Sequence, residues 1–289
     1  MKFRAVAALA AAILLPAARL PARTDAPPAT PEAPAAPKET TADGAAAPRP
    51  PEGSRIINLP SADAPRRRTL TVLFTHRFSQ PVEQSDIHSL YSFDSGADIG
   101  IGLAYAPIDD LDVSLYRTSG LDVYELDVRY HVFSAGPLSA AVRLGGDWRT
   151  EANLQNRNGV FAQAILGVSL GSRVRLTAVP TYVSKTSGQR FVSPKPFYEN
   201  LFSVPAAVSI AVTRSINVQG EVEPRLGKAD SRGVAWIAAI EKTVVRHRFA
   251  FTVGNQRGTT VDQYIATDFS GLHPHGYYLG FNLVRQWKL

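Results

Sequence analysis

From about Leu70 to the C-terminus, apolar and polar residues change places at every second position. In "DVYELDVRYHVF", Tyr124, Leu126, Val128 and Tyr130 alternate with Glu125, Asp127, Arg129 and His131. In "INVQGEVEPRL", Ile216, Val218 and Val222 alternate with Asn217, Gln219, Glu221 and Glu223. A period of two belongs to strands with one oily and one polar face, and a helix would show 3.6. Followed along the chain, the pattern predicts twelve strands at 71–78, 97–106, 111–117, 122–133, 138–149, 158–170, 173–184, 200–213, 216–225, 233–244, 247–256 and 277–287.

The connections sharpen this picture. Those after odd-numbered strands run to 18, 4, 8, 15, 7 and 20 residues, and those after even-numbered strands to 4, 4, 2, 2 and 2. Long loops alternating with tight turns are the mark of an up-and-down barrel in an outer membrane. About ten residues at roughly 3.4 Å each, tilted about 40°, cross the roughly 25 Å apolar band of such a barrel. The fold class expected is therefore all-β, an antiparallel transmembrane β-barrel of about twelve strands over 70–289. An even strand number puts both termini on the periplasmic side of the bacterial outer membrane.

Aromatics fall where such a barrel meets the lipid interfaces. Tyr116, Tyr124, Trp148, Tyr182, Phe202, Trp236 and Tyr277 lie near the long-loop ends of strands, and Tyr105, Phe133 and Trp287 near the short-turn ends. Pro180, Pro205 and Pro224 lie within predicted strands, where a closed barrel has no free edge to tolerate a missing donor. Bulges near the rim are expected to absorb them.

The N-terminal part has a different composition. Lys2 and Arg4 precede an apolar run from Ala5 to Leu15 and then small residues, which predicts a secretory signal peptide over 1–22, cut after Ala18 or Ala22. Residues 23–69 are read as a Pro/Ala-rich disordered linker, because Ala, Pro and Thr bury too little apolar surface to offset the entropy of ordering. The short apolar patch "RIINLP" lies at its end. With no cysteine in the chain, packing and hydrogen bonds hold the fold. No other run reaches the about 18 apolar residues that a spanning helix needs.

The net charge of +6 changes little, since only Arg66 to Arg68 are clustered. Nucleic acid is not expected as a partner. Outer-membrane lipids are, together with a possible periplasmic partner reached through the N-terminal tail.

"FDSGADIGIGLAYAP" at 93–107 invites a phosphate loop or a nucleophile turn. A phosphate loop needs its glycines ahead of a helix, and here "PIDD" leads into another strand. Ser95 lacks the preceding glycine of a nucleophile elbow. Ile99, Ile101, Leu103 and Tyr105 instead alternate with Asp98, Gly100, Gly102 and Ala104, so small residues facing a crowded interior explain the glycines.

This stretch, with "THRF" at 75–78, "PTYV" at 180–183, "RHRFAFTVGNQRG" at 246–258 and "YYLGFNLVRQW" at 277–287, resembles a bacterial family of outer-membrane β-barrels defined as a domain of unknown function. The similarity runs from about Ile57 to the C-terminus. It implies the barrel fold and brings no substrate or catalytic residue with it.

The inner face is expected to carry Asp98, Asp112, Glu125, Asp127, Asp147, Glu221, Glu223 and Glu241, opposed by Arg129, Arg143, Arg149, Arg175, Arg225 and Arg248. A selective ion pore would show a ring of one sign. Mixed signs suit cross-strand ion pairs in a narrow lumen, with a path for small polar solutes as the functional alternative. The histidines, including "HPH" at 273–275, form no ligand set by spacing, so neither metal nor cofactor is expected. Ser209 and His247 stand on separate strands with nothing to pair them. The chain is read as a narrow channel or passive transporter and not as an enzyme. An anchoring barrel that binds a partner and a lipid-modifying enzyme are the alternatives.

Overall fold

A computed structural model describes residues 54–151, 156–186, 200–224, 234–265 and 276–289. The predicted signal peptide and the linker up to residue 53 lie outside these residues. So do Arg225 and "HPH".

The strands are β1 (Thr69–Phe78), β2 (Ala97–Ile108), β3 (Leu111–Thr118), β4 (Val123–Ala135), β5 (Leu138–Arg149), β6 (Asn158–Leu170), β7 (Val174–Ala178) and β8 (Thr181–Ser184). They continue with β9 (Asn200–Ser203), β10 (Ala206–Ala211), β11 (Ile216–Glu223), β12 (Ala235–Val244), β13 (His247–Gly254) and β14 (Tyr278–Lys288), and one short helix, α1 (Val261–Ile265), precedes β14. All pairings are antiparallel. β1 pairs with β14 from Thr69↔Lys288 to Arg77↔Gly280, and β5 pairs with β6 from Leu138↔Val168 to Trp148↔Asn158, so the sheet closes on itself.

Fourteen segments make twelve staves, because β7 and β8 are halves of one stave and β9 and β10 halves of the next. The breaks fall at Pro180 and Pro205, and Pro224 ends β11. A proline supplies no donor to the ladder, but its carbonyl still accepts. Ala164 N donates to Pro180 O at 3.0 Å and Val179 N to Pro205 O at 2.8 Å, so the wall is carried past both breaks. The tight turns between staves place Gly136 (φ +57°) and Gly171 (φ +63°) in the left-handed region, which glycine enters without steric cost.

The alternation read from the sequence sets the direction of the side chains. Along β4 the outer wall presents Tyr124, Leu126, Val128, Tyr130 and Val132, while Glu125, Asp127, Arg129 and His131 are buried inside. Hydrocarbon outside leaves no partner for a backbone or side-chain charge, so polar groups turn to the lumen. Leu126→Arg is expected to cost about 2–4 kcal/mol, as for a charge placed on the lipid face near midplane. Urea unfolding in liposomes reads this, and a change below about 0.5 kcal/mol, the size of an ordinary surface substitution, would place Leu126 outside the lipid.

The core sits inside the cylinder and is partly built from segments that are not strands. Residues 54–61 fold back on themselves within the lumen: Arg55 bridges Pro60, Ile56 N donates to Leu59 O at 2.8 Å, and Ser61 N to Ser54 O at 3.1 Å. The disordered linker expected up to residue 69 therefore does not describe 54–69. Ile56, Ile57, Leu59 and Ala62 find the apolar partners that the Pro/Ala composition around them hides. They pack in one cluster with Phe161, Ile165 and Ile237 of the wall and with Val261, Tyr264 and Ile265 of α1.

Residues 255–265, which follow β13, enter from the long-loop end and carry α1. The hairpin enters from the other end: Asp63 contacts Arg175 beside the β6–β7 turn, and Asp110 N, in the β2–β3 turn, donates to Pro65 O at 3.1 Å. The two segments meet inside the barrel, where Asn58 Nδ2 donates to Gly258 O at 3.2 Å and Arg55 Nη1 to Thr259 O at 3.1 Å.

Candidate functional site

Of the charged residues predicted for the lumen, Asp112, Glu125, Asp127, Arg129, Arg143, Asp147, Arg149, Glu221, Glu223, Glu241 and Arg248 are buried on the inner face. Asp98 and Arg175 lie inward nearer the two ends, paired with Arg257 at 3.3 Å and with Asp63. These side chains form an ionic network that ties both inserted segments to the wall.

Glu125 is its hub. The period-two pattern of β4 points this carboxylate inward, where it is 0% exposed. Its Oε1 accepts from Arg55 Nη2 of the hairpin at 3.0 Å and from Arg143 Nη2 of β5 at 2.7 Å. Its Oε2 accepts from Val261 N, the first residue of α1, at 2.8 Å. One carboxylate thus touches the wall and both inserted segments. Arg143 also binds Asp127 (Nη2–Oδ2 2.6 Å) and donates to Gln163 Oε1 at 3.0 Å. Gln163 Nε2 in turn donates to Tyr264 Oη at 3.1 Å, and burial pushes that phenol above the ordinary tyrosine range.

The hairpin has two further clamps. Glu221 receives Ile57 N at 2.8 Å and Leu59 N at 3.0 Å on Oε1, and Asn58 N at 3.0 Å on Oε2. Arg129 is held by Asp112 and donates from Nη1 to Ser61 O at 2.7 Å and Asp63 O at 2.9 Å. The α1 segment is held by Gln263, whose Nε2 donates to Gly120 O at 2.6 Å, and by Asp262, 3.4 Å from Arg149 Nε. Glu241 joins Arg248, whose Nη2 reaches Arg55 O at 3.2 Å. These contacts pair most of the network's charged groups with one another, while Asp147 Oδ1 and both amide atoms of Gln219 are buried without a hydrogen-bond partner among the described residues.

Beside the hairpin, on the β1–β3 side, space remains. A cavity of about 310 Å³ lies between Asp63–Arg66, Thr69, Thr71, Ala106, Asp112, Arg129 and Gln286. It shares Ser54, Thr71, Ala104, Asp112 and Arg129 with a second cavity of about 30 Å³, which reaches Arg55, Tyr116 and Arg143. Tyr116 lines this second cavity. Its ring lies against Gly100 and Gly102, its hydroxyl is 2.6 Å from Thr75 Oγ1, and the Arg55 guanidinium stands 4.7 Å from its centroid on a cation–π contact. A Cβ at Gly102 would come within 2.9 Å of Tyr116 Cδ2, and one at Gly100 would overlap its hydroxyl. The glycines of "IGIG" are thus the floor beneath an inward tyrosine. Tyr116 accordingly does not belong to the interface aromatics, because it shares the inward parity of Asp112 and Ser114 on β3.

The other aromatics face outward. Tyr124 and Trp148 pair at 5.6 Å and Trp236 and Tyr277 at 5.8 Å near the long-loop end, where Tyr182 and Phe202 are also exposed. Tyr105 and Phe133 are exposed toward the other end, where the Arg285 guanidinium stands 4.7 Å from the Trp287 ring centroid. Ser209 is buried in the lumen, whereas His247 lies beside the outward Phe249 at 6.0 Å, so the two do not meet. His131 joins the hairpin through Nδ1 and Ala62 O at 2.9 Å, and its Nε2 is 3.1 Å from Ser134 Oγ. Among the described residues, no three His, Cys, Asp or Glu side chains form a group that could hold a metal ion.

Sequence reading missed Arg55, Asp63, Arg77, Arg257, Asp262, Gln263 and Tyr264. Arg77 was legible by parity, two positions from Thr75 on β1. The others sit in or beside the inserted segments, and their only signals were the short apolar patch "RIINLP" and the spaced Val261, Tyr264 and Ile265 of "VDQYI".

An antiparallel cylinder that is apolar outside, ionic inside and closed on itself is the outer-membrane type of β-barrel. The chain belongs to the membrane-bound β-barrel domain family DUF5777, whose model matches residues 52–287, which bears out the resemblance read from the sequence. No curated protein matches it. Among solved structures it is similar to the NanC porin, at 8% identity over 76% of this chain and 100% of that one, with a TM-score of 0.49. It is similar also to outer membrane phospholipase A from Escherichia coli, at 9% identity over 75% and 89% of the two chains, with a TM-score of 0.42. A third is LpxR from Salmonella typhimurium, at 8% identity over 76% of this chain and 100% of that one, with a TM-score of 0.34.

Proposed function

We propose that this protein is a gated, narrow pathway for small polar solutes through the outer membrane, with both ends of the barrel domain on the periplasmic side. The observation that supports the reading is the two-part plug. The 54–61 hairpin and the α1 loop are tied to the wall by hydrogen bonds and ion pairs, which exchange for water when the segments move, and by apolar contacts with Phe161, Ile165 and Ile237. Beside the hairpin, the cavity of about 310 Å³ shares lining residues with that of about 30 Å³ at Tyr116 and Arg55, and in this reading the two form one route with its constriction at those side chains. Mixed charge along this route favours neutral and zwitterionic solutes over ions of one sign. Catalysis is not part of the proposal, and outer-membrane lipids are its constant partners.

Planar-bilayer recording tests it. The full chain is expected to be silent apart from rare openings, and a variant lacking residues 54–61 to conduct steadily. A deletion variant that keeps the heat-dependent gel shift of a closed barrel and still passes no current in either polarity rules out transport.

The density of buried ion pairs favours a second reading, in which the barrel is an anchor and the segment before residue 54 binds a periplasmic partner. Breaking such pairs one-sidedly costs several kcal/mol each, so a plug held this way resists opening. Silence of the deletion variant supports this second reading.

A further inference from the structure

We propose that the short-turn rim over β12, β13, β14 and β1 is a binding site for anionic phospholipid headgroups. Arg67 and Arg68 precede β1, Arg285 and Lys288 lie at the end of β14, Arg246 is in the β12–β13 turn, and Lys242 is near the end of β12. All six are exposed. The register makes them neighbours: Thr69 pairs with Lys288 and His247 with Arg285. The backbone contacts agree, with Leu289 N donating to Arg68 O at 2.7 Å and Gln286 N to Arg246 O at 3.2 Å. Strands about 4.8 Å apart gather the six cations into an arc roughly 15–20 Å wide.

None of the six side chains forms an ion pair with a described residue. Lys242 Nζ meets only the neutral Ser215 Oγ, at 2.7 Å. Of the acids around them, Asp109 and Asp110 sit to one side in the β2–β3 turn, where Asp109 accepts from the backbone N of Arg67 at 2.8 Å, and Glu241 is buried inside and paired with Arg248. Like charges crowded without ion-pair partners among the described residues repel one another, and an anion at the rim relieves this.

The lipid-facing wall identifies that anion. Arg285 and Lys242 point outward in line with Leu283, Phe249 and Ile240, which are exposed on the same wall. Trp287, stacked under Arg285, is the kind of residue that settles at a headgroup boundary. Long basic side chains at such a boundary carry their charge out to the phosphate level. Acyl chains against the wall and phosphates against the rim are two parts of one molecule, so a membrane phospholipid fits better than a free phosphate. This inference is independent of the transport reading.

The test uses the full chain in detergent micelles with added phosphatidylglycerol or phosphatidylcholine, and counts retained lipid by native mass spectrometry. Retention of phosphatidylglycerol is expected to be at least tenfold higher, and R67Q/R68Q/R246Q/R285Q to abolish that preference, since each basic residue near an anionic surface contributes about a fivefold gain. Raising salt from about 0.1 to 1 M, which shortens the screening length to about 3 Å, is expected to do the same. Equal retention of the two lipids overturns the proposal. So does a quadruple variant that keeps the gel shift and the full preference.

Discussion

Alanine at Glu125 is expected to destabilise the barrel by about 3–5 kcal/mol, because removing one member of a buried ionic cluster leaves its partners charged and unpaired. Arg55 and Arg143 both lean on Oε1, at 3.0 and 2.7 Å, and Val261 N on Oε2, at 2.8 Å. Arg143 keeps Asp127, but Arg55 keeps no ion-paired carboxylate among the described residues. Glutamine is expected to have a smaller effect, since its one carbonyl oxygen still accepts from α1 or from one guanidinium. Urea titration of the alanine and glutamine variants in liposomes reads the difference. An alanine variant as stable as the parent removes Glu125 from the centre of the network. In bilayers the same alanine variant is expected to open more often, since it frees the hairpin and α1 together.

Valine at Gly100 is expected to have the next largest effect, by overpacking. Its side chain would need the space of the Tyr116 hydroxyl and Thr75 Oγ1, and forcing bulk into a filled core commonly costs about 1–3 kcal/mol or more. The diagnostic is the double variant. Tyr116→Ala alone loses the contact with Arg55 and Thr75 and leaves a cavity, but it makes room for the valine. Stability lost in Gly100→Val is therefore expected to be partly regained in Gly100→Val/Tyr116→Ala. Strictly additive losses would mean that the ring does not rest on this glycine.

The barrel is legible in the sequence because its signal is local. Tyr124 through His131 state the inward and outward faces of β4 residue by residue, and the loop lengths state the up-and-down path. Pro180 and Pro205 were legible as interruptions. Where each stave divides follows from the missing donors and shows only in the pairing. The plug was not legible because its contacts are remote: Ile57 meets Glu221 across 164 positions and Val261 meets Glu125 across 136. A four-residue apolar patch after a Pro/Ala run has no period, and neither has a five-residue helix in a long loop. Tyr116 misled for a different reason. Its place near a strand end suggested the interface, while its parity with Asp112 had already turned it inward.

The two divided staves stand next to each other and break at nearly the same height. Elsewhere the described ladders are disturbed singly, at the bulges by Tyr105–Ile108 and His131–Phe133, but along this one line two amide donors are missing side by side. The wall is thus mechanically uneven, stiff over most of its girth and compliant on a single flank. Pressure from within, or thinning of the surrounding bilayer, would be taken up there first and would leave the remaining ten staves close to their resting shape.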